Sequence, residues 1–398
     1  MSGSMTATPE SRIILWQRRS LLAGIAGALL SAAWFLTDRD QFLRSYLFAY
    51  VYWTGMGLGC LGILLLHHTV GGKWGMVIRR LCEAGARTLP YMAILIIPLL
   101  LAVPILYVWD QPGAMQDTNI RSKAAYLNFP FFIVRTIFYF AIWTLYAHLL
   151  SKWSRQQDQT TDARLIERLI DKMRALSAPG LVVFTVTTTF AFVDWIMSLE
   201  PRWFSTIYGA MFLMGEVLEA FAFVIALLIV LSRLEPLREY VTPQHFHDLG
   251  NMMFTFTILW AYTAFSQYLI IWAGNLPDEI PWYVKRLNQG WGGVALFVVL
   301  FHFCLPFLLL LQRNIKRNAD RLFKVSLMMI VVRLVDVYWV VEPSFYGNHI
   351  RIHWTDFITP IAVGGLWLAL FFWQLRAMPL TPLNDPRLKG APRETVAF

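Results

Sequence analysis

Val193-Asp194-Trp195-Ile196-Met197-Ser198-Leu199-Glu200-Pro201 places an ionisable Asp inside an apolar segment and closes that segment six residues later with Glu-Pro. Tyr208-Gly209 follows. Val335-Asp336-Val337-Tyr338-Trp339-Val340-Val341-Glu342-Pro343 repeats the spacing and runs on to Tyr346-Gly347, with four residues fewer in the return. A carboxylate within an apolar span is costly in a bilayer, so it is first read as functional. A repeated one points to two related halves.

The surrounding composition sets the class. The chain has 398 residues, 57% hydrophobic and 15% charged, with a mean hydropathy of +0.51. Soluble domains carry about 25% charged residues. This is the composition of an all-α integral membrane protein, not of a globular enzyme. The net charge of +9 is read as Lys and Arg in cytoplasmic loops, and no nucleic-acid partner is expected. Cys60, Cys82 and Cys304 are scattered and form no CxxC or CxxCH. They supply no ligand set for zinc or an iron–sulfur cluster, so no metal and no covalently bound cofactor is expected, and any such redox centre belongs to a partner. A ladder of b-type haems needs His pairs at matching depths. His67, His68, His148, His245 and His247 lie at inner ends, His349 and His353 fall in an outer loop, and only His302 lies deep.

Runs of about 20 apolar residues mark bilayer-spanning helices. Ten such spans are expected, near 20–36, 46–67, 89–109, 129–150, 178–199, 205–231, 247–272, 291–311, 321–342 and 356–375. Lys and Arg set their orientation. With the N-terminus inside, the outer side holds only Arg39, Arg44, Arg121, Lys123, Arg202, Lys285, Arg286 and Arg351. Apart from Arg135 and Arg333 within spans, the remaining Lys and Arg fall on the inner side, so both termini are cytoplasmic. Gln17-Arg18-Arg19-Ser20-Leu21-Leu22 imitates an export signal but reads as a positive-inside anchor helix. Leu165, Ile166, Leu169, Ile170 and Met173 form an amphipathic stretch that lies along the membrane surface or packs on a neighbour. The outer loops 110–128 and 273–289 are candidate docking surfaces. The Pro-rich tail from Pro379 is expected to be extended.

Asp194 falls in the fifth span and Asp336 in the ninth. Both sit about 9 Å below their Glu-Pro ends at 1.5 Å per residue. An offset of four spans gives a parallel repeat of two four-helix bundles, with the first and tenth spans peripheral. The chain then divides into 1–45 (tail and first span), 46–200 (first bundle), 201–343 (second bundle) and 344–398 (tenth span and cytoplasmic tail). Trp109 with Asn128 and Trp272 with Asn288 give weaker support for the repeat.

Other polar residues join these carboxylates in the membrane. Arg135 lies near the depth of Asp194, and Arg333 precedes Asp336 by three residues on one helical face. Gln267 lies in the outer part of the seventh span. Glu216, Glu219 and His302 lie near mid-membrane. Asp194, Asp336, Glu216 and Glu219 are candidate proton acceptors or carriers. Arg135, Arg333, His302 and Gln267 are candidates for binding a quinol or tuning those acids. Each has a structural alternative: Arg–Asp pairs that only neutralise each other, a packed His, and hydroxyls of Thr185, Thr187, Thr188 and Thr189 bonded back to their own helix. Glu216 and Glu219 have no cation on their own span, and neighbouring carboxylates favour holding a proton.

The ten-span pattern and the run from Asp194 to Gly209 resemble the NrfD/polysulfide-reductase-like family of membrane quinol-binding subunits. Within it they look most like the ActF branch, the second quinone-binding subunit of alternative complex III. The resemblance covers nearly the whole chain. It implies a subunit of a quinol:cytochrome c-type oxidoreductase in the bacterial cytoplasmic membrane. The implied partners are an NrfD-like paralogue, an iron–sulfur subunit and c-type haem subunits, besides membrane lipid. It also implies a site for menaquinone or another quinone, without a redox centre in this chain. In this branch, proton conduction and a structural role compete with quinol oxidation. A stand-alone proton-coupled transporter and a purely structural scaffold are the alternatives from other classes.

Overall fold

The computed structural model describes residues 9–288, 290–346 and 349–387, and these form helices joined by short connections, with no strand among them. Gly347 of the second repeat, Gln289 and the tail from 388 onward lie outside the described residues. The helices used below are α1 (Pro9–Phe35), α2 (Arg39–Val70), α3 (Arg79–Ala86), α4 (Phe129–Asp158), α5 (Ala163–Trp195) and α6 (Tyr208–Leu231). They continue as α7 (Pro243–Gly274), α8 (Ile280–Leu287), α9 (Trp291–Val298), α10 (Leu305–Leu311), α11 (Ala319–Val341) and α12 (Thr355–Arg376). Among the described residues nine helical segments are long and apolar enough to cross a membrane, as in a multi-pass membrane protein. α11 is 23 residues long. It stands apart from the nine because Lys324, Arg333 and Asp336 crowd its apolar stretch.

Local chemistry sets the helix ends. Asp38, Asn128, Asp162 and Asn318 cap α2, α4, α5 and α11 with side-chain oxygens on first-turn amides, satisfying donors that have no partner within the helix. Thr242 and His245 form a reciprocal capping box at α7. The third span does not run as one rod. Pro90, Pro98 and Pro104 begin separate pieces, 89–95, 97–101 and 103–106, because each ring removes an amide donor and crowds the preceding turn. The eighth span is interrupted differently, by a π-helical turn at Val299–Cys304.

α2 and α6 form the centre. Of their most apolar stretches, 89% and 78% of residues are buried, against 17% for α1. The two helices touch at glycines: a Cβ on Gly59 would lie 2.2 Å from the Glu216 carbonyl oxygen, and one on Gly55 3.1 Å from the Glu216 carboxylate. Small residues let membrane helices approach this closely. α1 packs along α12 by the same device, with Gly24 against the backbone of Leu366 and Gly27 against Ala362. α12 is less peripheral than its position in the chain suggests. It packs on α2, and Gly364 leaves room for the Trp53 ring.

Four expectations are sharpened by the structure. The amphipathic stretch 165–173, expected along the membrane surface or packed on a neighbour, takes the second course: it is the first part of α5, which has 33 residues. At 1.5 Å per residue α5 is about 50 Å long, beyond the roughly 30 Å hydrocarbon core, so one end projects. Ile166, Leu169 and Met173 are buried there against neighbours. The loop 273–289 holds α8, whose Trp282 and Arg286 are buried, while Leu276, Val284 and Leu287 stay exposed. The described part of the tail is not simply extended. Asn384 bonds the carbonyls of Asp158 and Thr160 at 2.9 and 2.8 Å, and Asp385 pairs with Arg79 at 3.4 Å and Arg387 at 2.8 Å. Arg79 and Arg80, which the sequence places in an inner-side loop, are buried with Glu83 and Ser154 beside the half-buried Asp158.

Candidate functional site

The two Asp stand in different surroundings although their sequence settings match. α5 ends at Trp195, so Asp194 lies in its last turn, and the chain continues as a short 3-10 turn, Met197–Leu199. α11 continues to Val341, which keeps Asp336 a full turn inside. Asp194 is fully enclosed. Arg135 from α4 grips it with two parallel bonds, Nε to Oδ2 at 2.8 Å and Nη2 to Oδ1 at 2.9 Å. Tyr139 donates to Oδ2 at 2.9 Å. The guanidinium lies between the Tyr126 and Phe131 rings, 3.8 and 4.2 Å from their centres, and donates to the Tyr126 carbonyl. Trp195 and Trp143 pack edge to face beside the pair. A 360 Å³ hollow nearby is lined by Tyr126, Val193 and Ser198 but not by Asp194. Tyr126 therefore stands between that hollow and the ion pair.

Asp336 pairs instead with Arg333 of its own helix. Arg333 reaches across α6, where Gly215 leaves the room: a Cβ there would lie 2.5 Å from the guanidinium carbon. The Arg333 Nε stands 3.9 Å from Glu219 Oε2. One guanidinium thus faces two carboxylates, with Glu216 one turn away on α6. Glu216 and Glu219 are buried, and their oxygens make no hydrogen bond within the protein. The sequence reading found no cation for them because the cation comes from α11.

Asp336 also lines a cavity of about 760 Å³ among α7, α8, α9, the π-turn, α10 and α11. The wall is almost wholly apolar, and Asp336, Gln267 and Tyr283 bring polar groups to it. Gln267 donates to the Tyr283 hydroxyl at 3.3 Å, while its carbonyl oxygen has no hydrogen-bond partner in the protein. Tyr262, Phe265 and Leu296 line the cavity yet are 66%, 62% and 58% exposed. The cavity therefore opens sideways, between α7 and α9, towards the exposed apolar flank of these helices. A concave apolar site with a few convergent polar groups suits a small amphiphile.

The remaining candidates separate into lining and support. His302 lies in the π-turn and does not line the cavity. Its ring meets Trp260 edge to face at 4.1 Å, and both ring nitrogens lack hydrogen-bond partners in the protein. Trp260 stands between it and the cavity and is itself a lining residue. Thr187 bonds back to the Val183 carbonyl at 2.8 Å and accepts from Trp143 at 3.0 Å, the structural alternative for that hydroxyl. The weaker repeat match does not hold in space: Trp109 is buried and Trp272 is 66% exposed. Asn128 caps the start of α4, whereas Asn288 follows the end of α8. Among the described residues no cluster of three or more His, Cys, Asp or Glu could hold a metal ion.

The sequence reading missed the use made of the two Glu-Pro pairs. Glu200 of the first repeat reaches α8, pairing with Lys285 at 2.9 Å and Arg286 at 2.8 Å, and accepts from Ser344 at 3.0 Å. Burial raises the Glu200 carboxyl, but the two cations outweigh it and hold the group below its ordinary range. Glu342 of the second repeat is buried, and neither of its oxygens makes a hydrogen bond within the protein. Opposite charges in two connecting segments, Glu200 after the fifth span and Lys285-Arg286 before the eighth, were the sequence signal for the Glu200 contact. In comparisons with known proteins, no family model matches the chain and no curated protein matches it.

Proposed function

We propose that this chain is a membrane subunit of a quinol-oxidising assembly and that the quinol occupies the cavity beside Asp336. The observation that carries this reading is a laterally open, apolar cavity of 760 Å³ with a buried carboxylate on its wall. A quinol head group with an isoprenoid tail fits that chemistry, and the side opening offers entry from lipid. Asp336 accepts a proton from one quinol hydroxyl. Arg333 can stay within ion-pairing range of Glu219 while Asp336 takes the proton, so the buried charge remains balanced. Gln267 Oε1, which has no partner in the protein, can accept from a hydroxyl. Glu219 takes that proton on from Asp336, which frees Asp336 for the second hydroxyl proton, and the two electrons leave to a redox centre held by a partner subunit.

The family resemblance supports the finer picture: ten spans including α11, two parallel four-helix bundles, and the Glu-Pro ends on the outer side of a bacterial cytoplasmic membrane. The meeting of α2 with α6, the first helices of the two proposed bundles, fits such a repeat. In the ActF-like assignment the partners are an NrfD-like paralogue, an iron–sulfur subunit and c-type haem subunits. Glu219 and Glu216 extend the acid chain from Asp336 towards mid-membrane, which favours a proton path as a second role of the same site.

The test is quinol:acceptor turnover of the assembly in which the chain isolates. Asp336→Asn should lower turnover by about 10²-fold or more, the usual worth of a general base, while the assembly stays intact. Unchanged turnover in Asp336→Asn would remove the quinol reading. Isolation of the chain alone, without c-type haem absorbance, would favour a transporter instead.

A further inference from the structure

The cavity is roofed at the Glu-Pro end by α8, which contributes Trp282, Tyr283 and Leu287 to its wall. An eight-residue helix between two loop connections has little stability of its own, so something must hold it in place. Arg286 does so from the cavity's outer side. It is 1% exposed, and its guanidinium lies 3.8 Å from the centre of the Trp282 ring. It donates to the Trp282 carbonyl at 3.1 Å, to the Val340 carbonyl at 2.7 Å and to Ser344 at 2.9 Å. These bonds tie the roof to the end of α11, the helix that carries Asp336. Trp339 closes the loop by donating to the Arg286 carbonyl at 3.0 Å.

The charge that balances Arg286 comes from outside this group of helices. Glu200 belongs to the return segment after α5, on the far side of the sequence repeat. Its neighbour Trp203 stacks on Trp282 with ring centres 4.9 Å apart. Removing the carboxylate would leave a buried guanidinium with carbonyls and a hydroxyl but no anion, which is a costly state.

We infer that Glu200 is a positioning residue: through Arg286 and Trp282 it sets the placement of α8, and so the shape of the cavity in which Asp336 works. The Glu-Pro of the first repeat thereby serves the carboxylate site of the second. This inference rests on the proposed quinol site, but its first link can be tested without any ligand.

Two measurements on the intact assembly separate the links. Hydrogen exchange of the amides in Ile280–Leu287 reads the anchoring. Glu200→Gln should speed it, Lys285→Gln should do so less because Lys285 is half-exposed, and Glu200→Asp should restore part of the protection. Steady-state kinetics with menadiol as a soluble quinol reads the consequence. Glu200→Gln should raise KM about tenfold, the worth of one charge-assisted bond, with a smaller change in kcat. Unchanged exchange in Glu200→Gln overturns the anchoring. Faster exchange with unchanged KM overturns the positioning role. Failure of the quinol reading appears elsewhere, as unaltered turnover in Asp336→Asn, so the two failures are distinguishable. Arg286→Lys, which keeps the charge but loses the fork of donors, should raise KM in the same direction and serves if Glu200→Gln does not assemble.

Discussion

Asp194 and Asp336 share a sequence motif and little else. Asp194 receives a two-bonded arginine from another helix, a tyrosine hydroxyl and a cover of aromatic rings. Asp336 receives an arginine from its own helix that it shares with Glu219, and its other side faces an open cavity. A saturated carboxylate braces two helices; a carboxylate with a divided partner and an open face can exchange a proton. The difference comes from the partner's origin. An arginine reaching from a facing helix fills the space in front of the carboxylate, whereas one three residues back on the same helix leaves that space free.

The sharpest break of this comparison lies in the first half. Arg135→Leu should destabilise the protein by about 3–5 kcal/mol, because it strands a buried carboxylate. Thermal unfolding in detergent checks this, and a small loss would mean that Asp194 is not the brace inferred here. In the second half, Ala264→Trp should fill the cavity and raise KM for quinol about tenfold or more, equivalent to roughly 1.4 kcal/mol. An unaltered KM would place the ligand elsewhere. The smallest effect concerns Glu200. Its folded pKa is depressed, so its contribution is complete above the unfolded glutamate value of about 4.3 and fades as pH falls through the lower folded value. Wild type and Glu200→Gln should therefore differ in melting temperature at neutral pH and converge in acid. A difference that persists in acid would show that the carboxylate's charge is not what anchors α8.

Hydropathy made the helical membrane class legible, because the demand for a continuous apolar stretch is local to each segment. The cap at Asn128 and the breaks at Pro98 and Pro104, which the expected single span 89–109 passed over, rest on single residues and are equally local. The boundary of α5 was not legible. Its charged first half is soluble in character, yet it belongs to the same rod as Asp194, with Ile166, Leu169 and Met173 buried by tertiary packing. The buried state of Arg79 and Arg80 was hidden likewise, since their partners Asp158 and Asp385 are far along the chain.

The candidate site divides in the same way. From the sequence alone came the two matched carboxylates, the two nearby arginines and the pair Glu216 and Glu219, because a charged residue in an apolar run is conspicuous by composition. Which helix supplies each arginine's space, which Asp is sealed and which opens on a cavity, and that Glu200 crosses to α8 were decided by tertiary structure. Helical periodicity relates residues three or four apart; it carries no information about the side chains that packing brings across from another helix.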